Sequence, residues 1–146
     1  MPSPNVNANP SRERRLEVVT RFFELMHGTE LDAWAELWAE DGRILVPYPP
    51  DGFPSSIDGK ATIVEGFRTL IGGFREIAFE WTGVYVADDS DAVCVEYTVE
   101  ATLVSGARYT NSNICVFRFQ DGLIAAYHDY FDPRRFQVVV DALPRA

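Results

Sequence analysis

Histidine and cysteine are scarce, two of each in 146 residues. His27 and His128 are too far apart in the chain to suggest a ligand cluster, so no metal site is expected. Cys94 and Cys115 lack CxxC or metal spacing and stand inside apolar, β-like runs. That pattern fits free buried thiols in a reducing cytoplasm. Basic residues are also few, 13 Lys and Arg against 22 Asp and Glu, for a net charge of −9. The basic clusters are Arg14-Arg15 and Arg134-Arg135, too little to track a phosphate backbone, which excludes nucleic acid and anionic membrane as expected partners. No apolar run approaches the roughly 20 residues of a membrane helix. Residues 1–10, rich in Pro, Asn and Ser, lack the apolar stretch of a secretory signal and read as a flexible tail.

Large apolar side chains are plentiful: ten Phe, six Tyr and three Trp. They suffice to fill a core and line a cavity. The length fits one domain, over 11–146. Ser11 caps a helix running to about His27, with Leu16, Val19, Phe23 and Met26 as its stripe and Gly28 as its stop. A second helix is expected from Thr29 to Asp41-Gly42, with Leu31, Trp34, Leu37 and Trp38 inward. Arg43 to Tyr48 reads as a strand and Pro49 to Gly59 as a loop around Phe53. A third helix spans Lys60 to Ile71, ended by Gly72-Gly73. The period then changes to two, over about 76–87, 92–103, 107–119 and 123–131. Asp132 and Pro133 open a last helix. Helices followed by a long meander mean α+β, with the helices gathered on one face of the sheet.

Two hairpins decide which side chains share a face. A two-residue Ser105-Gly106 turn sets Glu100 opposite Asn111, Thr98 opposite Asn113 and Glu96 opposite Cys115. The other face then carries Val93, Val95, Tyr97, Val99, Ile114 and Val116. A three-residue loop, Gln120-Asp121-Gly122, puts Asp129 opposite Asn113 on the polar face, with Tyr127 and Phe131 beside it. A two-residue Asp-Gly turn puts Asp129 among the apolar residues instead. The polar face is either the solvent side of the sheet or the wall of a cavity under the helices.

The run Tyr109 to Phe136 resembles the closing strands of the nuclear transport factor 2-like superfamily. It includes Phe117-Arg118-Phe119-Gln120-Asp121-Gly122-Leu123-Ile124 and Asp129-Tyr130-Phe131-Asp132. Leu37-Trp38-Ala39-Glu40-Asp41-Gly42 and Asp58-Gly59-Lys60 match the same pattern. The branch it resembles holds the SnoaL-like polyketide cyclases, the limonene-epoxide hydrolases and the phenazine-biosynthesis A/B-type proteins. The resemblance implies a cone: a curved, mostly antiparallel sheet wrapped around N-terminal helices, with a C-terminal helix and a pocket at the open end. It also implies a homodimer through the outer sheet face. By resemblance Asp129 matches the acid that serves as general base in the cyclases and epoxide hydrolases. The Arg and second Asp of the epoxide hydrolases fall at Glu96 and Thr98, and their Tyr and Asn near Ile44 and Val46. No acid lies between Ile44 and Tyr48, where the steroid-isomerase branch carries its base.

The expected function is a cofactor-independent enzyme of isomerase, cyclase or lyase type, acting on a small hydrophobic metabolite. Asp129, losing hydration among aromatics, would be the proton carrier, and Glu96 a second carboxylate to split the acid and base roles. Asn111 and Asn113 would orient a carbonyl. Thr98, Tyr109, Tyr127, Phe131, Trp38 and Phe53 complete the expected binding surface, with Phe53 a lid at the pocket mouth or an ordinary loop residue. His128, next to Asp129, points to the opposite face. His27 is explained by a helix end and Asp132 by capping, and both Arg pairs are solvated. The alternatives are a ligand-binding module of the same fold, then an epoxide hydrolase.

Overall fold

The computed structural model describes residues 11–144; the expected tail at 1–10 lies outside them. Helix α1 (Arg12–Glu24) is capped by the Ser11 hydroxyl, which accepts from Arg14 N at 3.1 Å. Its buried line is Val18, Val19, Phe22 and Leu25, one position round from the expected stripe, with Phe23 and Met26 only partly covered. Arg15, expected in solvent, is 7% exposed. Its guanidinium donates to the carbonyls of Ala87, Ser90 and Ala92 at 3.2–3.4 Å and so ties α1 to a hairpin turn.

The expected second helix is corrected. It closes after one turn, α2 (Leu31–Ala35), and strand β1 (Trp38–Leu45) begins at once. Trp38 keeps its buried place, but as the first residue of a strand running parallel to the last one. Leu37 O accepts from Ile124 N at 2.8 Å, and Trp38 pairs with Ile124. A strand partner 86 residues away in sequence overrides a local helical spacing. The proline-rich loop after β1 also contains a short strand, β2 (Ser56–Asp58).

Helix α3 (Lys60–Ile71) falls where the spacing places it. Four antiparallel strands follow: β3 (Phe74–Val86), β4 (Val93–Leu103), β5 (Arg108–Gln120) and β6 (Leu123–Tyr130). Helix α4 (Pro133–Ala142) opens on Asp132, whose carboxylate accepts from Arg134 N at 2.9 Å. The fold is α+β. Its one curved, unclosed sheet has the order β2-β1-β6-β5-β4-β3, with the β1–β6 pair parallel and every other pair antiparallel. The helices cover the inner face, where Phe22 meets Phe117 and Tyr127 at ring separations of 5.0 Å. The two free thiols stand on opposite faces of the sheet, Cys115 buried inside and Cys94 half-buried outside.

Candidate functional site

Register decides the site, and both hairpins differ from expectation. Between β4 and β5 the turn has three residues, Val104-Ser105-Gly106, closed by Leu103 N donating to Ala107 O at 2.8 Å. Gly106 takes φ +92°, the left-handed conformation such a turn needs. The extra residue moves the pairing by one: Val99 faces Asn111, Tyr97 faces Asn113 and Val95 faces Cys115. Asn111 and Asn113 therefore look inward beside the buried valines, and Tyr97 replaces Thr98 as their neighbour. Glu96 and Thr98 lie on the outer face, and their expected place beside Asp129 is corrected.

The β5–β6 turn is a two-residue Asp121-Gly122, with φ of 53° and 80°. Alone it would turn Asp129 outward. A β-bulge corrects it: Phe119 pairs with Ile124 but Arg118 with Ala126, so Ala125 is an extra residue. From there Cys115 pairs with Asp129, and the carboxylate points inside. His128 consequently looks outward, as expected.

Inside, Asp129 lies at the polar end of a cavity of about 380 Å³. The walls come from the helices, the sheet and the segment after β6. Phe22 and Trp34 precede the sheet, and Ile63, Phe67 and Leu70 come from α3. Ile77, Phe79 and Val99 belong to the sheet, and Phe131 and Phe136 lie at its C-terminal end. Among the described lining residues Asp129 carries the only charged side chain, and the other side chains with polar atoms are Trp34, Thr69, Tyr97, Tyr109, Asn113 and Tyr127.

The carboxylate is held by neighbours that donate to it. Tyr97 Oη is 3.2 and 3.3 Å from its two oxygens, and Asn113 Nδ2 is 3.3 Å from Oδ1. Asn113 also donates to Tyr97 Oη at 3.1 Å, and the Tyr97 and Tyr127 hydroxyls meet at 3.2 Å. Burial pushes the Asp129 carboxyl up to about 7, against the hydrogen bonds of Asn113, Tyr97 and Tyr127, which favour the ionised form. Burial, with the Asp129 charge behind it, holds both phenols well above their ordinary range, so they stay neutral donors.

The expected site residues divide accordingly. Asp129, Asn113, Tyr109, Tyr127, Phe131 and Phe53 line the cavity. Phe53 packs edge-on against Phe136 at 5.3 Å, and its loop is clasped to α4 by Gln137, which exchanges hydrogen bonds with the Asp51 backbone at 3.0 and 3.1 Å. Asn111 does not reach the lining. Its Nδ2 donates to Tyr109 Oη at 2.9 Å and Asp132 O at 3.0 Å, while its Oδ1 accepts from the Ser112 and Asp132 amides. Trp38 is core, against Phe22 and Trp34, and its neighbour Trp34 reaches the cavity instead. Glu96 accepts from Tyr85 Oη at 2.6 Å on the far side of the sheet. Gly83 makes room for that pair, since a Cβ there would sit 2.8 Å from Tyr85 Oη and 2.9 Å from Glu96 Oε1. Sequence reasoning missed Tyr97 and Phe67; a three-residue first turn would have turned Tyr97 inward.

A small curved-sheet domain with a mostly apolar cavity and one half-buried carboxyl on its last strand defines a class of small-molecule-binding folds. The SnoaL-like domain profile matches residues 19–127, and the chain belongs to that family, within the nuclear transport factor 2-like fold. It is 31% identical over 122 residues to the uncharacterised protein YesE of Bacillus subtilis (strain 168), covering 83% of each. A solved candidate isomerase from Bacillus subtilis superposes with a TM-score of 0.80 at 29% identity, covering 89% of this chain and 94% of that one. The epoxide hydrolase/cyclase-like enzyme SalBIII, of pyran ring formation in the polyether salinomycin, superposes with a TM-score of 0.69 at 21% identity. That match covers 86% of this chain and 95% of SalBIII, and at this identity the likeness is one of fold.

Proposed function

We propose that the chain is an enzyme of cofactor-independent acid/base chemistry (isomerisation, cyclisation or condensation) on an uncharged hydrophobic metabolite, with Asp129 carrying the proton. The observation that carries the reading is a lone carboxyl, poised near 7, at the polar end of a mostly apolar cavity. Such a group is ionised for part of the time at neutral pH and can both take and return a proton. Its carboxylate removes a C–H proton, and the electron pair left behind passes into an adjacent unsaturated group. Return of the proton at another carbon gives isomerisation; attack of the carbanion on an electrophilic carbon gives ring closure or condensation. The apolar walls exclude a charged substrate, because no cation among the described lining residues would offset its desolvation. Neither Arg nor a second acid accompanies Asp129 there, which favours this chemistry over epoxide opening.

The test follows α-proton exchange of a panel of neutral cyclic ketones in deuterated water. Wild-type protein is expected to accelerate exchange, and Asp129→Asn to lose the acceleration while keeping the fold. Ketones that bind to wild type without exchange would favour a ligand-binding module.

We further propose a homodimer through the outer sheet face and a cytoplasmic location. Tyr85 is 58% exposed there and Ile114 41%, next to half-buried Cys94 and Val116. Sedimentation should give a dimer for wild type and a monomer for Ile114→Asp, whose charge would be buried unpaired in the contact. A wild-type monomer at micromolar concentration sinks this part of the reading.

A further inference from the structure

Of the hydroxyl and amide hydrogens that line the cavity with Asp129, one lacks an acceptor among the described residues. Tyr97 and Asn113 are committed to the carboxylate, Tyr127 shares its hydroxyl with Tyr97, and Thr69 donates to Glu65 O at 3.2 Å. Tyr109 lines the same cavity but only accepts: Asn111 Nδ2 donates to its oxygen at 2.9 Å, and its own proton meets no acceptor among the described residues. That oxygen is well fixed. Asn111 is anchored by Asp132 O and by the Ser112 and Asp132 amides, and the Tyr109 ring packs 5.7 Å from Phe136. A hydroxyl that accepts a hydrogen bond becomes a stronger donor through it. Burial, offset in part by Asn111 and reinforced by the Asp129 charge, raises the phenol well above its ordinary range, so the proton stays in place. The indole N–H of Trp34 is also unpartnered, but it is wholly buried, with the ring stacked on Phe67 at 4.2 Å.

We propose that Tyr109 donates its hydroxyl hydrogen to the carbonyl oxygen of the substrate, and that the site takes neutral ketones with an α C–H and an apolar body. This deepens the acid/base reading and rests on Asp129 as the base. In the step, a carboxylate oxygen of Asp129 takes the α-proton and the C–H pair becomes the C=C bond of an enolate. The carbonyl π pair moves onto oxygen, where the Tyr109 hydrogen bond meets the developing charge without transferring its proton. Return of the proton from Asp129 to carbon regenerates the carboxylate.

Two probes test this: 2-tetralone, and tetralin, the corresponding hydrocarbon without the carbonyl. Affinities for wild type, Tyr109→Phe and Asp129→Asn are measured by calorimetry. The bound ketone's carbonyl stretch is read by isotope-edited infrared spectroscopy, and its α-proton exchange in deuterated water by NMR. Wild type is expected to prefer the ketone about tenfold, the effect of one hydrogen bond, and to lower its carbonyl stretch. Tyr109→Phe should keep its tetralin affinity, which reports an intact pocket. It should lose the ketone preference and the lowered stretch, and exchange about 100-fold more slowly. Asp129→Asn should keep the preference and the stretch and lose exchange. A Tyr109→Phe protein that retains the preference and the lowered stretch overturns Tyr109 as donor. A wild type that favours tetralin, or binds neither probe, overturns the ketone class. Exchange surviving in Asp129→Asn overturns the base reading alone, since the Tyr109 signature would stand without it.

Discussion

Two tyrosine–carboxylate pairs lie on opposite sides of the same sheet. Outside, Tyr85 donates to Glu96 at 2.6 Å; inside, Tyr97 donates to Asp129 at 3.2 Å. By length the outer pair is the stronger bond, but in the single chain it lies at the surface, where such an interaction contributes little. The inner pair is longer, and the inner carboxyl is the one moved to about 7, because burial outweighs the donors around it. Desolvation, rather than hydrogen-bond length, makes the inner carboxyl suited to proton transfer.

The sharpest way to break this contrast is to remove each charge in turn. Asp129→Asn is expected to reduce ketone exchange by about 10²–10⁴-fold, the usual worth of a positioned acid/base group. Glu96→Gln should leave the rate within about twofold. Equal losses in the two variants would mean that the faces do not differ in chemistry.

Stability against pH gives the next largest effect. Asp129 binds its proton more tightly in the folded protein, at about 7, than in the unfolded chain, near 3.8. Below 3.8 both states hold the proton and the burial of Asp129 costs no charge. As pH rises from there the unfolded chain releases it first, so stability falls until about 7 and is level above. The full loss is on the order of 4 kcal/mol. Asp129→Asn should therefore melt roughly 10 °C above wild type at pH 8, with the gap closing by pH 4. Calorimetric scans across that range check it.

The two faces also differ in how far the sequence reveals them. Elements whose signals are local were legible: Ser11 as a cap, Lys60–Ile71 as a helix before Gly72-Gly73, Asp132-Pro133 as a helix start. Trp38 was not, since its strand forms only by pairing with Ile124 from the far end of the chain. The site depended on two single residues. One more residue in the Val104-Ser105-Gly106 turn brought Tyr97 inside and put Glu96 outside. One bulged residue, Ala125, returned Asp129 to the interior after a turn that would have expelled it. Asp129 thus reaches the expected face by a route the sequence did not show. Alternation reveals that two faces exist, but a one-residue change in a turn or bulge exchanges them, and nothing local in the hydrophobic pattern records it.

The smallest expected effect isolates the phenols. Tyr97→Phe removes a donor that favours the ionised Asp129 and leaves Asn113 in place. The ionised form loses support and the neutral form does not, so the midpoint of the rate against pH should move up by about one pH unit. Tyr85→Phe removes the shorter hydrogen bond of the two and should leave that midpoint unmoved, because Glu96 faces away from the cavity. Exchange rates between pH 5 and 9 for both variants separate the outcomes. A midpoint that falls in Tyr97→Phe would mean that the phenol supports the protonated carboxyl instead. The network would then run in the other direction, with Asp129 donating and Tyr97 accepting.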